Sequence, residues 1–147
     1  FIKNGKAIDD FDISYFCGRA KVISFLGTKI CKEDIEKFQI CQNDIILIKA
    51  NTHFNGFDMP KNYTGIDENA ALFLAQTKIK MVGIDFITIG SHECDEVVHN
   101  ILLRNSIPIL ENIDLSMVEE GEYEIFAFPL NIENGDAAPV RAVLKSC

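Results

Sequence analysis

Asp44-Ile45-Ile46-Leu47-Ile48-Lys49-Ala50 and Met81-Val82-Gly83-Ile84-Asp85-Phe86-Ile87-Thr88-Ile89 are the stretches whose reading decides the fold. Each is an almost unbroken apolar run rich in β-branched residues. A strand with one wet face alternates apolar and polar side chains, whereas a strand covered on both faces has no reason to alternate. Both runs are therefore expected to be buried strands of an α/β sheet with helices packed over it. Between them the period changes from two to helical. Asp67 stands where an N-cap belongs, ahead of an expected helix over residues 68–78 with a stripe of Ala71, Leu72 and Ala75.

Outward from this centre the chain keeps alternating. Residues 20–26 (AKVISFL) read as a strand and 32–38 (KEDIEKF) as a short helix with its acids in the first turn. Residues 95–105 read as a helix with Val98, Ile101, Leu102 and Asn105 along one side. Residues 107–110 form a short strand whose Pro108 suits an edge or a strand start. Strands are expected over 123–130 and 140–144, separated by the turn-rich segment 131–139 (NIENGDAAP). The long loop carrying His53, Phe54, Asn55, Gly56, Phe57, Pro60, Asn62, Tyr63 and Gly65 is aromatic and is expected to line a pocket. Together these elements make one α/β domain over residues 1–147 with a mixed sheet.

The chain has 147 residues, 48% of them hydrophobic and 24% charged, which suits one globular domain and excludes a disordered chain. Its 22 acidic and 14 basic residues leave a net charge of −8. Such a surface repels phosphate backbones and anionic membranes, so neither nucleic acid nor a membrane is an expected partner. No apolar run approaches the roughly 18 residues of a membrane span. Cys17, Cys31, Cys41, Cys94 and Cys147 are odd in number and lack any C-x-x-C spacing. They are expected to be free thiols of a reducing cytoplasm, with Cys17 and Cys41 serving as small apolar residues.

The common catalytic motifs are absent: no G-x-S-x-G, Walker loop, G-x-G-x-x-G or H-E-x-x-H occurs. Chemistry must come from scattered residues. Asp85 interrupts an apolar strand, where a carboxylate has to be paired, hydrogen-bonded or at a cleft; capping a neighbouring loop is an equal reading. His99 lies beside the apolar face of its helix, and Glu111 follows the apolar run 107–110, at a strand end where α/β proteins place ligands. An imidazole and a carboxylate brought together there suit a divalent metal, although a lone histidine on such a face is more often a satisfied core residue. His92, Glu93 and Asp95 form a competing polar cluster, expected to be a solvated cap.

At this point the chain resembles a known family, the metal-dependent cyclases and kynurenine formamidases. The likeness is carried in order by Val82-Gly83-Ile84-Asp85, His99-x-x-Leu102-Leu103, Ile109-Leu110-Glu111-Asn112, Phe128-Pro129-Leu130 and Asn134-Gly135-Asp136-Ala137-Ala138-Pro139-Val140-Arg141-Ala142. The family's form of the last motif is G-G-D-G-S-P-V-R-A, so Ala137 and Ala138 depart from it. Gly90 also stands where many members have an acid. The opening Phe1-Ile2-Lys3-Asn4-Gly5-Lys6-Ala7-Ile8-Asp9 is similar to a phrase that follows the family's hallmark H-x-G-T-H-x-D-x-P-x-H.

The resemblance implies a curled, barrel-like mixed sheet flanked by helices, the cyclase-like swivelling β/β/α domain. It implies hydrolysis of an amide-type C–N bond in a small-molecule substrate by a metal-activated water. The divalent metal would be zinc first and manganese second, with His99 and Glu111 as ligands. Asp136 and Arg141 would support the loop near the site, with a plain loop-holding ion pair the preferred reading, and Asp85 is a further supporting residue. The resemblance also implies a homodimer or homotetramer. The hallmark, with its acid–base histidine, would stand just before Phe1, so the domain is expected to continue upstream by roughly 60–70 residues. With two ligands instead of three, these 147 residues alone are expected to bind metal weakly or not at all and to be inactive. The competing expectation is a non-catalytic domain that keeps the fold without the site.

Overall fold

Ile45, Ile46, Leu47 and Ile48 are all fully buried, as a strand covered on both faces requires. They belong to β3 (Ile45–Lys49), a central strand in the computed structural model, which describes residues 2–3, 5–50, 60 and 63–146. The other strands of its sheet are β1 (Cys17–Ser24), β5 (Met81–Ile84), β6 (Ile109–Leu110), β7 (Gly121–Phe126) and β8 (Val143–Ser146). Their order is β6-β5-β3-β1-β7-β8. β1, β3, β5 and β6 run parallel, while β7 and β8 are antiparallel additions on the far side of β1. This is the expected mixed α/β sheet.

The two-residue period of a strand lets β3 feed two cores. Ile46 and Ile48, with Val82 and Ile84 of β5, pack beneath α2 (Glu68–Thr77) and α3 (Asp95–Arg104) through Ala70, Ala71, Leu74, Val98 and Leu102. Ile45 and Leu47 face the other way and pack with Ala20, Val22, Met81, Leu115 and Ile125. The acidic segment after Cys31 forms α1 (Lys32–Glu36), shorter than expected.

Asp67 caps α2 as its position predicts, accepting a hydrogen bond from the Ala70 N–H at 2.8 Å. The helix ends at Lys78, whose φ of 57° and ψ of 49° turn the chain left-handed and let its N–H reach Leu74 O and Ala75 O.

Four readings need correction. The apolar run 81–89 is not one strand, because β5 stops at Ile84. Phe86 and Ile89 are fully buried, but as core plugs beyond the sheet edge, so their hydrophobicity reports packing and not ladder pairing. The last two strands are also shifted: β7 ends at Phe126, Val140 only bridges Pro129, and β8 starts at Val143. A second, two-stranded parallel sheet, β2 (Lys29–Ile30) with β4 (Gly65–Ile66), was not expected, since two residues are too few to show a period. Cys41 is exposed and is no core residue.

The aromatic loop falls partly outside the described residues, which exclude His53, Phe54, Asn55, Gly56, Phe57 and Asn62. Tyr63 is described and buried, stacking on the Phe86 ring with centroids 4.7 Å apart. Among the described residues, no helix is long and apolar enough to cross a membrane.

Candidate functional site

α3 places Val98, His99 and Leu102 on its buried side. The His99 imidazole, 4% exposed, cannot be left without polar partners at that depth. Its Nδ1 lies 2.9 Å from the carbonyl oxygen of Asp95, one turn back. A carbonyl can only accept, so Nδ1 carries a proton and Nε2 becomes the ring's outward-facing atom. Nε2 lies 3.1 Å from Oε1 of Glu111, the residue that follows β6. The same oxygen accepts the Ile89 N–H at 2.8 Å. Histidine and glutamate, twelve positions apart in sequence, thus meet at the ends of the parallel strands.

The electrostatics of this pair call for a positive charge. A neutral Nε2 lone pair pointing at a carboxylate is repulsive unless a proton or a cation lies between them. Burial of the ring opposes its protonation. The hydrogen bonds to Glu111 and to the Asp95 carbonyl, with the charges of Glu111 and Asp95, outweigh it and raise the His99 pKa above its ordinary value. Among the described residues, no three His, Cys, Asp or Glu side chains converge as a complete metal cage.

Asp85 follows β5 at the same edge of the sheet. Its Oδ1 accepts the Ala50 N–H at 2.7 Å, immediately after β3. Asp136 and Arg141 are both exposed, and no ion pair joins them, contrary to the preferred expectation. Arg141 instead lines a cavity of about 500 Å³ with Leu47, Asn112, Ile113, Leu115 and Ile125, on the second face of the sheet.

The polar cluster at 92–95 splits. His92 and Glu93 are exposed as expected, but Asp95 is no solvated cap. Its carboxylate accepts the Thr88 hydroxyl and stands 3.4 Å from His99 Nδ1. The four-residue spacing to His99 on one helix could have signalled this contact. The roles of Thr88 and of the Ile89 N–H had no signal in the sequence.

Residues 1–91 match the Cyclase family. The chain belongs to this family. Kynurenine formamidase of Bacillus thuringiensis subsp. konkukian (strain 97-27) is 31% identical over 147 residues, covering 99% of this chain and 70% of that protein. The kynurenine formamidase of Bacillus anthracis gives the same identity and coverage. Those two matches span nearly the whole chain and so run past residue 91, where the family match ends. Among solved structures, "The Structure Of Potential Metal-Dependent Hydrolase With Cyclase Activity" superposes with a TM-score of 0.87 at 28% identity, covering 97% of this chain and 72% of that one. A predicted metal-dependent hydrolase from Bacillus stearothermophilus gives 0.80 at 30% identity, covering 90% and 65%. An isatin hydrolase bound to thioisatinate gives 0.77 at 19% identity, covering 94% and 63%, a likeness of fold alone.

Proposed function

We propose that this protein is a metal-dependent hydrolase that cleaves an amide-type C–N bond in a small molecule, in the manner of a kynurenine formamidase. The observation that carries the reading is the His99 Nε2–Glu111 Oε1 approach of 3.1 Å, with the proton held on Nδ1 by the Asp95 carbonyl. The relatives named kynurenine formamidase and the neighbours named metal-dependent hydrolases support it.

The donor set fits a divalent metal, zinc first and manganese second. His99 offers a neutral nitrogen lone pair once Nε2 gives up its proton, and Glu111 offers a negative charge. When bound, such a metal acidifies a water and polarises the substrate carbonyl. The protein's part is to hold the ligands ready. The Ile89 N–H fixes one carboxylate oxygen, and burial of the ring restricts it to one orientation. A third protein ligand, usual for catalytic zinc, must come from outside the described residues.

The test is the metal content of purified protein, with formate release from an N-formylated arylamine as the activity readout. Stoichiometric zinc or manganese is expected in the full-length protein, with loss of metal and activity in both His99→Ala and Glu111→Ala. Full metal occupancy in both variants would sink the proposal. An unaltered protein that binds neither metal nor substrate would favour a non-catalytic domain of the same fold.

A further inference from the structure

Behind the His99–Glu111 pair lies a layer of contacts converging from residues 88–91. The Thr88 hydroxyl donates to Asp95 Oδ1, and that same oxygen stands 3.4 Å from His99 Nδ1. The next residue, Ile89, donates its N–H to Glu111. The segment is itself pinned. Ile66 N donates to Ile89 O, and Ser91 N donates to Ile66 O, both at 2.9 Å.

Two glycines permit this approach. A Cβ at Gly65 would lie 2.4 Å from the Gly90 carbonyl oxygen, and a Cβ at Gly90 would lie 2.7 Å from Asp95 Oδ1. Any side chain at position 90 would press on the carboxylate that backs His99. One short strut, held against β4, therefore reaches both members of the pair.

We propose that Asp95, anchored by Thr88, is the positioning residue for His99. Its carbonyl and its carboxylate together face Nδ1, so a lone pair there would meet two acceptors and the proton stays on that nitrogen. Nε2 is left to face Glu111 across a proton or a cation. The carboxylate also places a negative charge behind the ring, which favours any cation in front of it. Outer partners of this kind typically contribute about 10–100-fold to metal affinity. The metal arm of this inference rests on the hydrolase reading; the orientation of the ring does not.

The experiment compares the unaltered protein with Asp95→Ala, Thr88→Val and Thr88→Ser. Zinc affinity is read by competition with a chromophoric chelator. The His99 ring-nitrogen resonances are read separately by NMR, in metal-free protein at a pH where the ring is neutral. Asp95→Ala is expected to weaken zinc binding about 10–100-fold. Its ring-nitrogen signals should move towards the tautomer protonated on Nε2, because only the main-chain carbonyl then holds the proton on Nδ1. Thr88→Val should shift both readouts in the same direction by less, and Thr88→Ser should restore them.

Zinc affinity and ring signals unchanged in Asp95→Ala and Thr88→Val, both folded, would overturn the proposal. If the full-length protein binds no zinc, the hydrolase reading fails. The ring signals alone then decide, and an unshifted Asp95→Ala spectrum overturns the positioning role. Should Asp95→Ala not fold, the Thr88→Val and Thr88→Ser pair decides by the same signals.

Discussion

Asp44 shows how a single buried carboxylate is made tolerable. It opens the run that decides the fold, yet its side chain is almost fully buried. Oδ1 accepts from Arg19 Nη2 at 2.7 Å, and Oδ2 accepts the Cys41 N–H at 2.9 Å and faces Lys21 Nζ at 3.1 Å. Burial pushes its pKa up, but the Cys41 N–H and the two cations more than offset this, leaving it below the usual carboxylate range. A folded-state pKa below the unfolded value of about 3.9 gives stabilisation that is complete above that value. It is lost as pH falls through the lower folded value. Urea midpoints should accordingly drop between pH 5 and pH 2, and the drop should shrink in Asp44→Asn. At pH 7 that variant should lose roughly 1.5–3 kcal/mol, the usual worth of hydrogen bonds to a charged group. His99 and Glu111 were legible as candidates because one lies beside the apolar face of its helix and the other follows an apolar run at a strand end. The 3.1 Å approach between them was not legible, since it depends on where α3 lands over β6.

Among the elements, α2 is the one the sequence describes best, and both of its ends can be tested. Asp67→Ala removes the acceptor for the Ala70 N–H and should cost about 0.5–2 kcal/mol. Lys78→Gly relieves a left-handed lysine and should add roughly 1 kcal/mol. Opposite shifts in urea midpoint at pH 7 would establish both effects, and equal midpoints would refute them. β5 shows where such reading fails. Residues 81–89 are uniformly apolar, but only Met81–Ile84 join the ladder. Phe86 and Ile89 are apolar because they plug the core above the sheet edge. Hydrophobicity without a period reports burial and cannot say whether a neighbour is a strand or a helix. The early end of β5 has a consequence for the site: it puts Asp85 at the end of the strand and frees 86–91 to reach Glu111 and Asp95.

On the scale of the whole molecule, the parallel half of the sheet carries the His99–Glu111 pair and the antiparallel half closes the second core. A metal bound only by the folded protein must stabilise all of it by mass action. Zinc at about 100 times its dissociation constant should add about 2.7 kcal/mol to the unfolding free energy. The gain should vanish in Glu111→Ala, as read by urea unfolding with and without zinc. An equal gain in that variant would place the ion elsewhere. Taken alone, the sequence determined the α/β class, the buried central strands, the helix capped by Asp67 and the two residues proposed to hold the metal. Each of these is written locally, in a period, a cap or a polar break in an apolar run. Only the tertiary structure decided that Thr88, the Ile89 N–H and Asp95 back the His99–Glu111 pair, and that Asp136 and Arg141 do not join each other. Those contacts depend on where separate elements dock, and docking is set by packing across the whole core rather than by any short stretch of chain.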